Sequence, residues 1–142
     1  MIKICFVCHG NVCRSPMAEF IFKHKIKKLN LENKYSVTSR ATSYEEEGND
    51  MHYGTKDILD KNNITYTKHT AKRLEKEDYD KYDYFICMDE SNIKNTINIF
   101  IKDEKNKVIK LLDRDIRDPW YTDNFLETYK DIDFGTDNLL KK

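Results

Sequence analysis

Apolar positions along this chain alternate between short apolar runs and helical spacing. Ile2 to Val7 is a short apolar run of the kind expected for a strand buried on both faces. From Pro16 to Leu29 the apolar residues Met17, Phe20, Ile21, Ile26 and Leu29 fall near a 3.6-residue period and predict a helix. Pro16 is read as its first helical position. Tyr35 to Ala41 predicts a second strand, and Thr42 to Tyr53 reads as irregular around Glu45-Glu46-Glu47-Gly48-Asn49. A short helix is expected over Thr55 to Asp60, punctuated by Asn62-Asn63, and a helical turn over Ala71 to Glu75.

Tyr82 to Met88 predicts a third strand and Lys107 to Leu112 a fourth. Between them Ser91 to Ile101 reads as a helix, with Ile93, Ile97 and Phe100 or Ile101 on one side. Residues 113–124 read as a loop, after which Phe125, Tyr129, Ile132, Thr136 and Leu139 form a helical stripe to the end. No repeat, low-complexity tract or linker divides the 142 residues, so residues 1–142 are read as one domain. Alternating β and α elements predict an α/β fold. The expected form is a four-stranded parallel twisted sheet with helices on both faces and a phosphate-binding loop after strand 1. In such sheets ligands bind at the carboxyl ends of the strands, where Cys8 falls.

The chemistry concentrates in Cys8-His9-Gly10-Asn11-Val12-Cys13-Arg14-Ser15, between the first strand and Pro16. Backbone N–H groups of such a loop, with the positive end of the next helix dipole, bind an anion. Arg14 adds a planar, two-pronged grip on phosphate oxygens. The same field favours Cys8 as thiolate, the nucleophilic form, and Gly10 is expected to allow the backbone turn.

Charge refines the picture little. The 25 basic and 25 acidic side chains cancel, which argues against a nucleic-acid binder. Residues 1–40 carry +6, which suits an anionic ligand, although Lys23, Lys25, Lys27 and Lys28 also read as a solvated helix face. No apolar run approaches the ~20 residues of a membrane span, and the N-terminus leads straight into a strand without a signal-peptide pattern. The chain is therefore expected to be soluble and cytoplasmic, with its four cysteines unpaired and Cys5 and Cys87 as buried thiols. Cys5-Phe6-Val7-Cys8-His9 also fits a haem-attachment pattern, but Cys5 would lie inside a strand. Zinc ligation by Cys5, Cys8, His9 and Cys13 fails on spacing. No metal or cofactor is expected.

The loop resembles the signature of the low-molecular-weight protein tyrosine phosphatase family. Two further stretches carry the resemblance over essentially the whole chain: Asp83 to Asn92, and Asp118-Pro119-Trp120-Tyr121 far downstream. The resemblance implies Cys8 as nucleophile, Arg14 as phosphate ligand and Asp118 as general acid and base. It implies a phosphate-binding loop of His9, Gly10, Asn11, Val12, Cys13 and Ser15, with Ser15 donating to the thiolate and Asn11 held through Ser39 and His69. Chemistry and resemblance together give Cys13 a redox role, as the partner of a reversible disulfide with Cys8, and place Trp120, Tyr121, Glu45 and Tyr44 at the substrate pocket. The expected partners are phosphotyrosine proteins or peptides, with inorganic phosphate as product, and the protein is expected to be a monomer.

Two departures from the family pattern stand out. Glu45 replaces a frequent aromatic residue, making the rim acidic, and Lys72-Arg73 leaves the ion-pair partner of Asp89 open. Arsenate reductases share the loop but need further redox cysteines, and only Cys87 lies beyond it. Protein arginine phosphatases tend to have threonine where Val12 stands. A phosphotransfer module would not need Arg14 and Asp118, and a non-catalytic phosphotyrosine-binding relative would be expected to have lost Cys8 or Asp118.

Overall fold

A computed structural model describes residues 1–141. Four strands, β1 (Ile2–Cys8), β2 (Tyr35–Ala41), β3 (Tyr84–Cys87) and β4 (Val108–Lys110), form one sheet in the order β2-β1-β3-β4. Every pairing is parallel, with Cys8 opposite Ala41 on one side of β1 and Val7 opposite Cys87 on the other. The helices are α1 (Arg14–Lys28), α2 (Tyr53–Lys61), α3 (Glu90–Phe100), α4 (Pro119–Thr122) and α5 (Phe125–Leu140).

The alternation along β1 divides the core. Ile4, Phe6 and Cys8 point into one cluster with Met17, Phe22, Leu59 and Ile132, whereas Cys5 and Val7 face the other with Leu74, Phe85 and Phe100. Both faces of β1 are thus covered, which is why its sequence is apolar rather than alternating. The chain passes from β1 through α1 to β2, then returns past β1 to β3. This reversal lies at the carboxyl end of β1, the expected place for a ligand.

The predicted elements recur with three differences. Helix α1 begins at Arg14, so Pro16 is its third residue. Proline is tolerated there because the first turn's N–H groups have no intrahelical acceptor. Ala71–Glu75 is extended instead of a helical turn: Leu74 N–H donates to Ala41 O and Ala41 N–H to Lys72 O, both at 2.8 Å. The helical turn falls next, as a 3₁₀ segment over Lys76–Asp80. Within the stretch read as a loop, Pro119–Thr122 forms the single turn α4, capped by Asp118.

Candidate active site

The Cys8–Ser15 loop wraps around the Cys8 sulfur. Asn11 N–H donates to Cys8 Sγ at 3.3 Å, and Ser15 Oγ lies 3.0 Å from the same sulfur. Asn11 Nδ2 donates to Ser15 Oγ at 2.7 Å, and the Ser15 proton has two acceptors in reach, the sulfur and, at 3.4 Å, Arg40 O. The turn that makes this possible falls on Asn11, whose φ is 60°, rather than on Gly10. Asparagine tolerates that left-handed conformation better than most residues. At Gly10 the space is tight instead: a Cβ there would sit 3.3 Å from Glu46 Cγ, so that side chain would have to shift slightly.

Asn11 is completely buried and every polar group it carries is used. Its Nδ2 also donates to Ser39 Oγ at 3.0 Å, its Oδ1 accepts from Lys72 N–H at 3.1 Å, and its carbonyl accepts from His69 Nε2 at 2.7 Å. Ser39 and His69 are therefore brought to the loop where the sequence reading placed them. Behind them stand two residues that reading missed. Glu19 Oε1 accepts from Ser39 Oγ at 2.6 Å, and Asp50 Oδ1 accepts from His69 N–H at 2.9 Å. Glu19 carried no clear signal in the sequence, because its i+4 neighbour Lys23 makes it read as half of a surface ion pair.

Arg14 opens α1 from within the site and is almost fully buried. Its Nη1 donates to Asp89 Oδ2 at 2.6 Å and to Ile116 O at 2.8 Å. Its Nη2 stands 3.5 Å from Asp118 Oδ2, and its Nε has no partner among the described residues. The Nε–Nη2 edge of the guanidinium is therefore the one left to a ligand, the edge suited to a two-pronged grip on phosphate. Burial works against the Arg14 charge, but Cys8, Asp118 and Asp89 outweigh it and raise its pKa. The Cys13 N-cap of α1 supplies no side-chain hydrogen bond to the helix, so the first-turn N–H groups remain available to an anion.

Asp118 caps α4 through Oδ1, which accepts from Trp120 N–H at 3.1 Å, leaving Oδ2 toward Arg14. A cleft of about 500 Å³, part of it open to solvent, is lined by Cys8, His9, Gly10, Val12, Cys13, Glu45, Glu46, Asp118, Trp120 and Tyr121. The structure thus gathers most of the expected site residues in one place and adds Glu46. Tyr44 is the exception: its ring lies under the Arg73 guanidinium at 4.6 Å and its hydroxyl is shared with Arg73 and Glu75, away from the cleft. Glu45 accepts from His9 Nε2 at 2.9 Å on the rim.

All four cysteines are free thiols. Burial, reinforced by Cys8 and Asp118, pushes the Cys13 pKa up, so Cys13 sits beside Cys8 as a protonated thiol. Burial likewise raises Cys5, and raises Cys87 to about 12. Among the described residues no group of three or more His, Cys, Asp or Glu side chains could hold a metal ion, and no helix is long and apolar enough to cross a membrane.

The sequence model of the family described as low molecular weight phosphotyrosine protein phosphatase matches residues 3–142. The low molecular weight protein-tyrosine-phosphatase PtpA of Staphylococcus saprophyticus is 40% identical over 145 residues, spanning 99% of this chain and 92% of that protein. The low molecular weight phosphotyrosine protein phosphatase of Saccharomyces cerevisiae is 38% identical over 153 residues, spanning 99% and 94%. The crystal structure of YfkJ from Bacillus subtilis has a TM-score of 0.96 to this fold at 36% identity, covering 99% of this chain and 93% of that one.

Proposed function

This chain belongs to the low molecular weight phosphotyrosine protein phosphatase family, and on that premise we propose that it hydrolyses phosphotyrosine and small aryl phosphates through a cysteinyl-phosphate on Cys8. The observation that carries this reading is the cleft lined by both Cys8 and Asp118, with the buried Asn11 N–H and Ser15 Oγ against the Cys8 sulfur behind it and the buried Arg14 beside Asp118.

The steps follow from the positions. The Cys8 thiolate attacks phosphorus in line, forming an S–P bond as the P–O bond to the phenol breaks. The loop amides and the free edge of Arg14 hold the equatorial oxygens as charge redistributes. Asp118 gives its proton to the departing phenolate oxygen. As a carboxylate it then takes a proton from water, whose oxygen attacks phosphorus and releases inorganic phosphate and the Cys8 thiolate. Under peroxide, a Cys8 sulfenic acid condenses with the neighbouring Cys13 thiol, releasing water and sparing the nucleophile from irreversible oxidation.

Trp120 and Tyr121 offer apolar faces to the phenol ring, and Glu45 and Glu46 line the cleft beside the loop. Val12 fits phosphotyrosine better than phosphoarginine. Residues 1–142 act as one monomeric domain, and the free thiols suit a reducing cytoplasm. The test is Asp118→Ala. Its kcat/KM on phosphates of poorly acidic phenols falls roughly 10²-fold or more, while strongly acidic phenols, which leave unaided, are spared. Equal rates for the variant and the intact protein on a phosphotyrosine peptide would refute the assignment of Asp118.

A further inference from the structure

Among the described residues, the direct tie of Asp118 to the cradle is the 3.5 Å approach of Arg14. Before Asp118 the chain is fixed: Ile116 is buried and its N–H donates to Met88 O at 2.9 Å. After it come the buried Pro119, which opens the single turn α4, and then the exposed Trp120, Tyr121 and Thr122. Beyond Pro119, the Trp120 end of the turn needs a hold of its own if the carboxyl is to face Cys8 reproducibly.

His52 occupies the place where such a tie would be needed. Its N–H donates to the carbonyl of Val12, inside the cradle, at 2.9 Å. Its Nδ1 accepts from Gly54 N–H at 3.0 Å and so caps α2, which fixes the ring's orientation and puts the ring proton on Nε2. The ring stacks on Phe125 at 5.1 Å and 23°, and meets the Trp120 ring edge-on at 5.5 Å and 73°. Phe125 in turn packs on Val12, Cys13 and Ala71. The contact is close enough that a Cβ on Gly54 would lie 2.5 Å from the Phe125 ring. A continuous path thus runs from Val12 through His52 and Trp120 to the Trp120 N–H that Asp118 Oδ1 accepts at 3.1 Å.

We propose that His52 is a positioning residue for the acid step, tying the Asp118–Trp120 turn to the cradle and setting where the Asp118 carboxyl stands relative to Cys8. The inference rests on Asp118 being the acid. It concerns the ring's face and edge, and separates from the capping role, which uses only the Nδ1 acceptor. His52→Asn keeps a capping oxygen for Gly54 N–H and removes the ring. His52→Phe keeps a ring and removes the acceptor.

The readout is kcat/KM on phenyl phosphate against p-nitrophenyl phosphate, a poor and a good leaving group, with Tm measured alongside. Misplacing the acid slows only the substrate that needs it. His52→Asn is expected to lose roughly tenfold on phenyl phosphate, a fraction of what general acid catalysis contributes. It should stay within about twofold on p-nitrophenyl phosphate, with little change in Tm. His52→Phe is expected to keep the phenyl phosphate rate while lowering Tm through the lost cap. His52→Ser, a second ringless capping residue, repeats the test if His52→Asn folds poorly. Equal losses on both substrates, or no loss, in the ringless variants would overturn the inference. Asp118→Ala run in parallel separates the two readings. A leaving-group dependence there, without one in His52→Asn, refutes the role of His52 alone. Its absence in both refutes the acid itself and the inference with it.

Discussion

Arg14 Nη1 donates to Asp89 Oδ2 at 2.6 Å across 75 residues of sequence, and that bond turns the guanidinium so that its Nε–Nη2 edge is left to a ligand. Asp89 lies just past the end of β3 and caps α3, its Oδ1 accepting from Asn92 N–H at 2.8 Å. One carboxylate therefore orients the phosphate ligand and starts a helix. Asp89→Asn retains a capping oxygen but loses the charge that holds Arg14. Inorganic phosphate, measured as a competitive inhibitor, is expected to bind about tenfold more weakly, the order of one charge-assisted hydrogen bond. An unchanged inhibition constant would mean that Arg14 is oriented by Ile116 alone.

Asp50 makes the support of the loop pH-dependent. Burial tends to raise its pKa, but hydrogen bonds from Lys56 and from the backbone of His69 and Met51 outweigh this and lower it from 3.8 to about 2. Its folded value lies below its unfolded one, so the carboxylate stabilises the fold above about pH 4 and that contribution is lost as pH falls through about 2. Asp50→Asn should therefore lower Tm at pH 7, by the equivalent of about 1 kcal/mol. The gap from the intact protein should close between pH 4 and pH 2. A gap independent of pH would assign the effect to packing.

The cleft has an acidic side. Glu45 and Glu46 line it, and among the described residues only Glu45 of the two meets a basic group, His9 at 2.9 Å. Phosphotyrosine peptides with Lys or Arg beside the phosphorylated residue should be cleaved several-fold faster, as kcat/KM, than those with Glu there. Added salt should narrow the difference. Glu45→Gln with Glu46→Gln should abolish the preference without slowing p-nitrophenyl phosphate. A preference that survives the double variant would place its origin in Trp120 and Tyr121.

Much of this was legible in sequence because it depends on neighbours along the chain. The strand β1, the loop from Cys8 to Ser15 and the start of α1 are contiguous, and their apolar run, turn residues and arginine announce them. Ser39, His69 and Asp118 came from the resemblance, and the structure gives them partners. What was not legible depends on pairings between distant residues. Glu19, Asp50 and His52 act through Ser39, His69 and Trp120, and no local pattern distinguishes them from surface polarity or a helix cap. Ala71–Glu75 has a helical mix of residues, yet its backbone pairs with Ala41, Gly48 and Asn49, and those bonds override the local preference. Tyr44, one residue from Glu45, swings to Arg73 because a cation and a hydroxyl partner lie on that side.

The central claim is that the Cys8 sulfur carries the phosphoryl group. It is tested most directly by phosphate release from a phosphotyrosine peptide, with chelator and reductant present, comparing the intact protein with Cys8→Ser. Turnover in the intact protein and none in the variant, with inorganic phosphate still bound by the variant, is the predicted result. Comparable turnover in Cys8→Ser, or none in the intact protein, would contradict it.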